Sequence, residues 1–140
     1  MMRLVVDASV AAKWFNIEEL SDSAVKVKDA HVRGDVELVA PIHIIYEVGN
    51  SIWRNPQLTD EHARDGVVSI LRLGIELIQP TPERVSRAME IARLRHTTFY
   101  DAIYLQAAEE WKVPILTADE NQASAGRGIT KAIDLRGFKL

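Results

Sequence analysis

Short apolar strands that alternate with amphipathic helices predict an α/β three-layer fold with a mainly parallel sheet. Two observations carry this. The strand segments are apolar runs that need cover on both faces, and the segments between them repeat apolar residues at spacings of three and four among charges. A chain of 140 residues, 47% hydrophobic and 26% charged, has enough material for one core, so a single domain over residues 1–140 is expected.

Leu4-Val5-Val6 is a β-branched strand ending at Asp7, and residues 8–15 read as a helix. Residues 21–33 carry Ala24, Val27, Ala30 and Val32 among charges and stop at Gly34, a helix C-terminal signal. A strand follows at 36–40. Pro41 opens a helix through Arg54, ended by Asn55-Pro56 because the residue before proline is pushed out of the helical region. Thr59 caps the next helix, which stops at Gly74, and residues 75–78 form a strand closed by Pro80. Thr81-Pro82 supplies an N-cap and a first-turn proline for a helix to about Leu94, and Thr98 starts another through Trp111. Residues 113–117 are a strand and 118–125 a short helix or turn. Gly126-Arg127-Gly128 is a loop before a last strand near 130–135.

Charge and composition exclude several classes. With 17 Lys+Arg against 20 Asp+Glu, net −3, nucleic acid cannot be bound by bulk positive charge, so any such contact is local. The absence of cysteine removes disulfide frameworks, thiolate zinc sites and cysteine nucleophiles. Asp7 and Lys13 interrupt the apolar stretch after Arg3 too early for a signal peptide. No apolar run approaches the ~18 residues needed to span a bilayer, so a cytoplasmic location is expected.

In parallel sheets, ligands bind beyond the carboxyl ends of the strands, where Asp7 and Asp119 stand. Each also suits a helix N-cap. Asp101 closes a Thr98-Phe99-Tyr100-Asp101 capping box, yet it lies in the most aromatic stretch of the chain, where a buried carboxylate wants a cation or several donors. Glu47 lies mid-helix, where capping cannot explain it, on a stripe with His43, Asn50, Ser51 and Arg54, opposite Ile42, Ile45, Gly49 and Ile52. Either the stripe is a solvated face or it lines a site. Four carboxylates that a fold can bring together suit Mg²⁺ or Mn²⁺, whose ions would activate water against a phosphodiester.

These residues resemble the PIN-domain ribonucleases, specifically the VapC toxins of type II toxin–antitoxin pairs. The likeness is carried by Leu4-Val5-Val6-Asp7-Ala8-Ser9, by Tyr46-Glu47-Val48-Gly49-Asn50-Ser51-Ile52-Trp53-Arg54, by Phe99-Tyr100-Asp101-Ala102-Ile103-Tyr104-Leu105-Gln106-Ala107-Ala108, and by Leu116-Thr117-Ala118-Asp119. It covers essentially the whole chain in the expected order. The resemblance implies a parallel five-stranded sheet between helices, and Asp7, Glu47, Asp101 and Asp119 as the metal-holding catalytic acids. Ser9, Asn50 and Thr117 fall on supporting positions. Asn121 stands where some relatives carry a further acid. The resemblance further implies hydrolysis of RNA, a homodimer, and inhibition by a cognate VapB-type antitoxin.

Candidate RNA contacts are Lys13, Arg54, Arg93 and Arg95, with Arg127 in the glycine loop. The basic end around Lys131, Arg136 and Lys139 suits RNA or an acidic partner. No histidine is assigned as a base. His43 reads as an exposed helix residue, His31, His62 and His96 have no assigned partner, and Trp14, Phe15 and Trp53 read mostly as core. Rival readings fare less well. A phosphoaspartyl receiver wants paired acids near the first strand and a lysine after the last, and a haloacid dehalogenase phosphatase wants an Asp where Ser9 stands. A non-catalytic scaffold, with the acids as caps only, is the remaining alternative.

Overall fold

The computed structural model describes residues 2–140. Five strands, β1 (Met2–Val6), β2 (Val36–Pro41), β3 (Glu76–Ile78), β4 (Ile115–Thr117) and β5 (Ala132–Asp134), form one sheet in the order β3-β2-β1-β4-β5. All four pairings are parallel. Seven helices flank it: α1 (Ala8–Ala11), α2 (Ser21–Arg33), α3 (Ile44–Trp53), α4 (Asp60–Arg72), α5 (Pro82–Arg95), α6 (Phe99–Trp111) and α7 (Glu120–Gly126). The expected α/β architecture is therefore present. Leu4, Val5 and Val6 of β1 and Leu38, Val39 and Ala40 of β2 are fully buried, which is why their runs lack polar alternation. Helix α6 packs against β1, β2 and β4, and α2 packs against β2.

Several boundaries differ from expectation, each for a local reason. Pro41 ends β2 opposite Ile78 rather than opening a helix. Its missing N–H costs nothing there, because the next residue, Ile42, donates to the Ile78 carbonyl at 3.0 Å. Helix α3 then starts at Ile44, and its buried stripe is Ile44, Val48 and Ile52, with Ile45 and Gly49 only half-buried. The first helix tightens into a 3₁₀ turn at Ala12–Trp14. Gly126 belongs to α7, not to a loop, and packs so close to α6 that a Cβ there would meet Leu105 Cδ2 at 3.1 Å. The last strand is shorter than expected and runs into a 3₁₀ turn, Leu135–Gly137, capped by Asp134 accepting from the Arg136 N–H at 2.8 Å.

His31, which had no assigned partner, finds a structural role, and Trp14 takes the core position expected of it. His31 Nδ1 accepts from the Leu38 N–H at 3.1 Å while Nε2 lies 2.7 Å from the Leu73 carbonyl, so the proton sits on Nε2 and the ring closes the β2 edge below β3. Trp14 is buried with its Nε1 donating to the Ala24 carbonyl at 2.9 Å. Trp53, by contrast, is 77% exposed and outside the core. Among the described residues no helix is long and apolar enough to cross a membrane.

Candidate active site

The chain leaves β1 for β2 on one side and later returns to β4 on the other, which opens a crevice beyond the carboxyl ends of β1 and β4. Asp7 is the first residue past β1. The pairing of Val6 with Leu116 brings it beside Thr117, and its N–H donates to the Leu116 carbonyl at 3.0 Å. Its side chain makes no capping bond to α1, so the N-cap alternative does not hold here. Instead Ser9 Oγ and Thr117 Oγ1 both donate to Asp7 Oδ2 at 2.7 Å. Those hydroxyls are themselves fixed, Ser9 Oγ accepting from the Ala118 N–H and Thr117 Oγ1 from the Asp119 N–H, both at 3.0 Å. Burial pushes the Asp7 carboxyl up to about 6, the two hydroxyls pull against that, and Asp101 and Glu47 add to the rise.

Glu47 projects from the first turn of α3, not from mid-helix as expected, because the helix starts at Ile44 and not at Pro41. Its Oε1 accepts from the buried Tyr104 hydroxyl at 2.9 Å and lies 2.9 Å from His43 Nε2, one helical turn earlier. Nε2 also lies 3.2 Å from the Tyr100 carbonyl, so with two acceptors nearby it carries the ring proton. The imidazole is stacked with the Tyr100 ring and tilted against that of Tyr104. Burial, then the charge of Glu47, drives the Tyr104 phenol well above its ordinary range, so it stays a donor. His43 is therefore no free helix residue. Sequence reasoning placed His43 on the Glu47 stripe but read it as exposed, and it did not find the Tyr104 contact. The four-residue spacing from His43 to Glu47 was the available signal, whereas Tyr104 is 57 positions from its partner.

Asp101 occupies the first turn of α6, where the Thr98 hydroxyl accepts its N–H at 3.1 Å. The return bond of a capping box to the Thr98 N–H is not formed among the described residues, and Asp101 borders a cleft with Thr98 and Asn121. Its pKa is raised by burial first, with Thr98 opposing and Glu47 and Asp119 adding to the rise. Gln122 Nε2 holds the Asp101 carbonyl at 3.0 Å. Asp119 does cap α7, its Oδ1 accepting from the Asn121 N–H at 2.8 Å.

The four acids thus share one electrostatic neighbourhood. Asp7 feels Asp101 and Glu47, and Asp101 feels Glu47 and Asp119, while no Lys or Arg figures among the charges acting on either carboxyl. Among the described residues no three acids or histidines form a ready-made metal cage. The donor set is nonetheless hard oxygen in mutual repulsion, which fits a cation held by one or two carboxylates with water completing its shell. Asn50 is exposed beside Glu47 and makes no side-chain hydrogen bond among the described residues. Of the basic candidates, Lys13 is paired with Glu18 at 3.0 Å, Arg54 borders a separate surface hollow with Asn16 and Asn55, and Arg93 is exposed on α5. Arg95 shares a cleft with Asp101 and Asn121.

Residues 4–128 match the PIN domain family model. The chain is 30% identical over 127 residues to Ribonuclease VapC3 of Pyrobaculum aerophilum, covering 87% of this chain and 93% of that protein. In three dimensions it is similar to PAE2754 of P. aerophilum, with a TM-score of 0.69, 24% identity, and 96% and 93% of the two chains covered. It is also similar to VapBC2 of Rickettsia felis, solved bound to a DNA fragment from their promoter, with a TM-score of 0.70, 9% identity, and 95% and 98% covered. The carboxylate crevice at the strand switch, the parallel five-stranded sheet and these matches together place the chain in the PIN-domain family, among relatives of the VapC type.

Proposed function

We propose that the chain is a metal-dependent endoribonuclease that acts as the toxin of a toxin–antitoxin pair. The observation that carries this is the convergence of Asp7, Glu47, Asp101 and Asp119, from four separate segments, with no lysine or arginine among the charges acting on Asp7 and Asp101 and only His43 opposing the repulsion at Asp101. Such an arrangement costs stability unless something positive binds it. The similarity to Ribonuclease VapC3 supports RNA as substrate, and the similarity to VapBC2 supports a VapB-type antitoxin partner. A cytoplasmic location and a homodimer belong to the same reading. Exposed Val85, Met89 and Leu94 on α5 suit burial against a partner.

When bound, Mg²⁺ or Mn²⁺ would lower the pKa of a water and polarise the phosphodiester. The protein's own part is positioning. Ser9 and Thr117 hold Asp7 Oδ2, which leaves Oδ1 toward the crevice. Tyr104 and His43 hold Glu47 Oε1. The Thr98 cap sets Asp101, and the Asp119 cap directs one of its own oxygens to α7 and leaves the other free. Ser9 and Thr117 also donate to the charged form of Asp7 and so oppose part of the rise in its pKa that burial causes.

The test is cleavage of structured and single-stranded RNA with Mg²⁺ or Mn²⁺. Activity that disappears with EDTA, returns with added metal, and is absent from folded Asp7→Asn supports the reading. Activity indifferent to EDTA and to Asp7→Asn would belong to a contaminant. If there is no cleavage and calorimetry detects no metal binding, the acids are caps on a scaffold.

A further inference from the structure

Arg95 closes α5 and differs from the arginines that satisfy themselves against acids. Arg3, Arg33, Arg84, Arg87 and Arg136 each pair with a carboxylate at 3.4 Å or less. Among the described residues Arg95 enters no ion pair, and its Nε is sealed from solvent with no hydrogen-bond partner. A permanent cation with no acidic partner lacks a counter-charge, and since its Nε is closed to any ligand, an anion in the adjoining cleft would meet its Nη groups. The guanidinium is also given its place by the backbone. It lies over Gly128, where φ is +82° and a Cβ would stand 3.0 Å from Arg95 Nη2. A side chain there would crowd the group.

Arg95 lines a cleft of about 820 Å³ together with Thr97, Thr98, Asp101, Asn121 and Ser124. Hydroxyl and amide groups that can donate to oxygen surround the cation. The same cleft ends on Asp101, one of the four acids of the candidate active site. A lone carboxylate ligand would satisfy Arg95 but would leave nothing for Asp101 except repulsion. A polyanion that passes through both places meets both, with one phosphate at the acids where a divalent cation is expected and the next at the guanidinium. Arginine matches a phosphate with paired N–H donors, so the planar group suits this role better than a lysine would.

We propose that this cleft seats a backbone phosphate of the RNA strand next to the one that is cleaved, with Arg95 as its counter-charge and Gly128 as the residue that admits it. The proposal rests on the nuclease reading and adds to it the path by which the strand leaves the acids, along the α5–α6 turn.

The experiment measures binding of a short fluorescein-labelled single-stranded RNA to full-length Asp7→Asn protein in Mg²⁺, by anisotropy over a range of salt concentrations. In that background Arg95→Ala is expected to weaken binding about tenfold, and to reduce the slope of log K against log salt by about 0.7, the loss of one phosphate contact on a single strand. Arg95→Gln, which keeps the stem and a donor, should lose the same slope. Gly128→Ala should weaken binding when Arg95 is present and change little when it is absent. Arg72→Ala, on the exposed end of α4, serves as the control. An affinity within twofold and an unchanged slope in folded Arg95→Ala or Arg95→Gln overturns the proposal, while metal-dependent cleavage by wild type would leave the nuclease reading standing. Wild type that neither cleaves nor binds RNA with any divalent metal overturns both.

Discussion

Asp7 leaves water on folding, and its two hydroxyl partners offset only part of that cost, so its carboxyl sits near 6 instead of the ordinary 3.8. A raised acid favours the protonated folded state. Its stabilising contribution is full below pH 3.8 and is lost as pH rises through about 6, leaving the ionised form less stable by about 3 kcal/mol. Asp7→Asn in EDTA is therefore expected to raise the melting temperature by several degrees at pH 7.5 and by little at pH 4. Thermal unfolding followed by circular dichroism at both pH values checks this, and an equal shift at both would contradict it. Tyr104→Phe removes one donor from Glu47 while His43 remains. Urea denaturation should show a loss of about 1 kcal/mol, and RNA cleavage should fall more steeply than stability. The four acids were legible in the sequence because strand ends and a charge that reads as mid-helix single them out. The groups that hold them were less so, since the Tyr104 hydroxyl meets Glu47 only through folding and the Asp7 side chain, which suits a cap, is taken instead by Thr117, 110 positions away.

Helix α5 and helix α6 illustrate which contacts matter between elements. Arg84 pairs with Glu110 and Arg87 with Glu109, but these side chains are 28–39% exposed and water screens them. Glu109→Gln should cost less than about 1 kcal/mol, whereas Leu105→Ala, which opens a void in the fully buried centre of α6, should cost roughly 3 kcal/mol in the same denaturation experiment. A reversed order would mean that the ion pairs hold α5 to α6. The helices were legible from caps such as Thr81 and Thr98, whose hydroxyls accept from Arg84 and Asp101 as their positions suggest. Pro41 was misread because proline at a helix start and proline at a strand end look alike locally, and only the Ile78 carbonyl, 37 positions on, distinguishes them. Trp53 was misread for a similar reason, since its helix turns Ile52, not its neighbour, toward the core.

Across the whole molecule, alternating elements were enough to read a parallel sheet, but the β3-β2-β1-β4-β5 order was not written in any segment. That order depends on which strands meet after distant crossovers, and it is what puts Asp7 and Thr117 side by side at the switch between β1 and β4. Net charge of −3 argues against nucleic acid binding by bulk charge, so the proposed RNA recognition would rest on the local balance of acids and Arg95 in one cleft. The most direct test of the central claim compares RNA cleavage rates of Asp7→Asn, Glu47→Gln, Asp101→Asn and Asp119→Asn with that of Asp60→Asn, an exposed acid on α4, all in saturating Mn²⁺ and with folding verified. If the four acids act as one site, Asp7→Asn, Glu47→Gln and Asp101→Asn each lower the rate at least a hundredfold, Asp119→Asn lowers it by at least tenfold, and Asp60→Asn leaves it unchanged. Rates that stay within twofold of wild type in all four would contradict the assignment of this crevice as the place where RNA is cut.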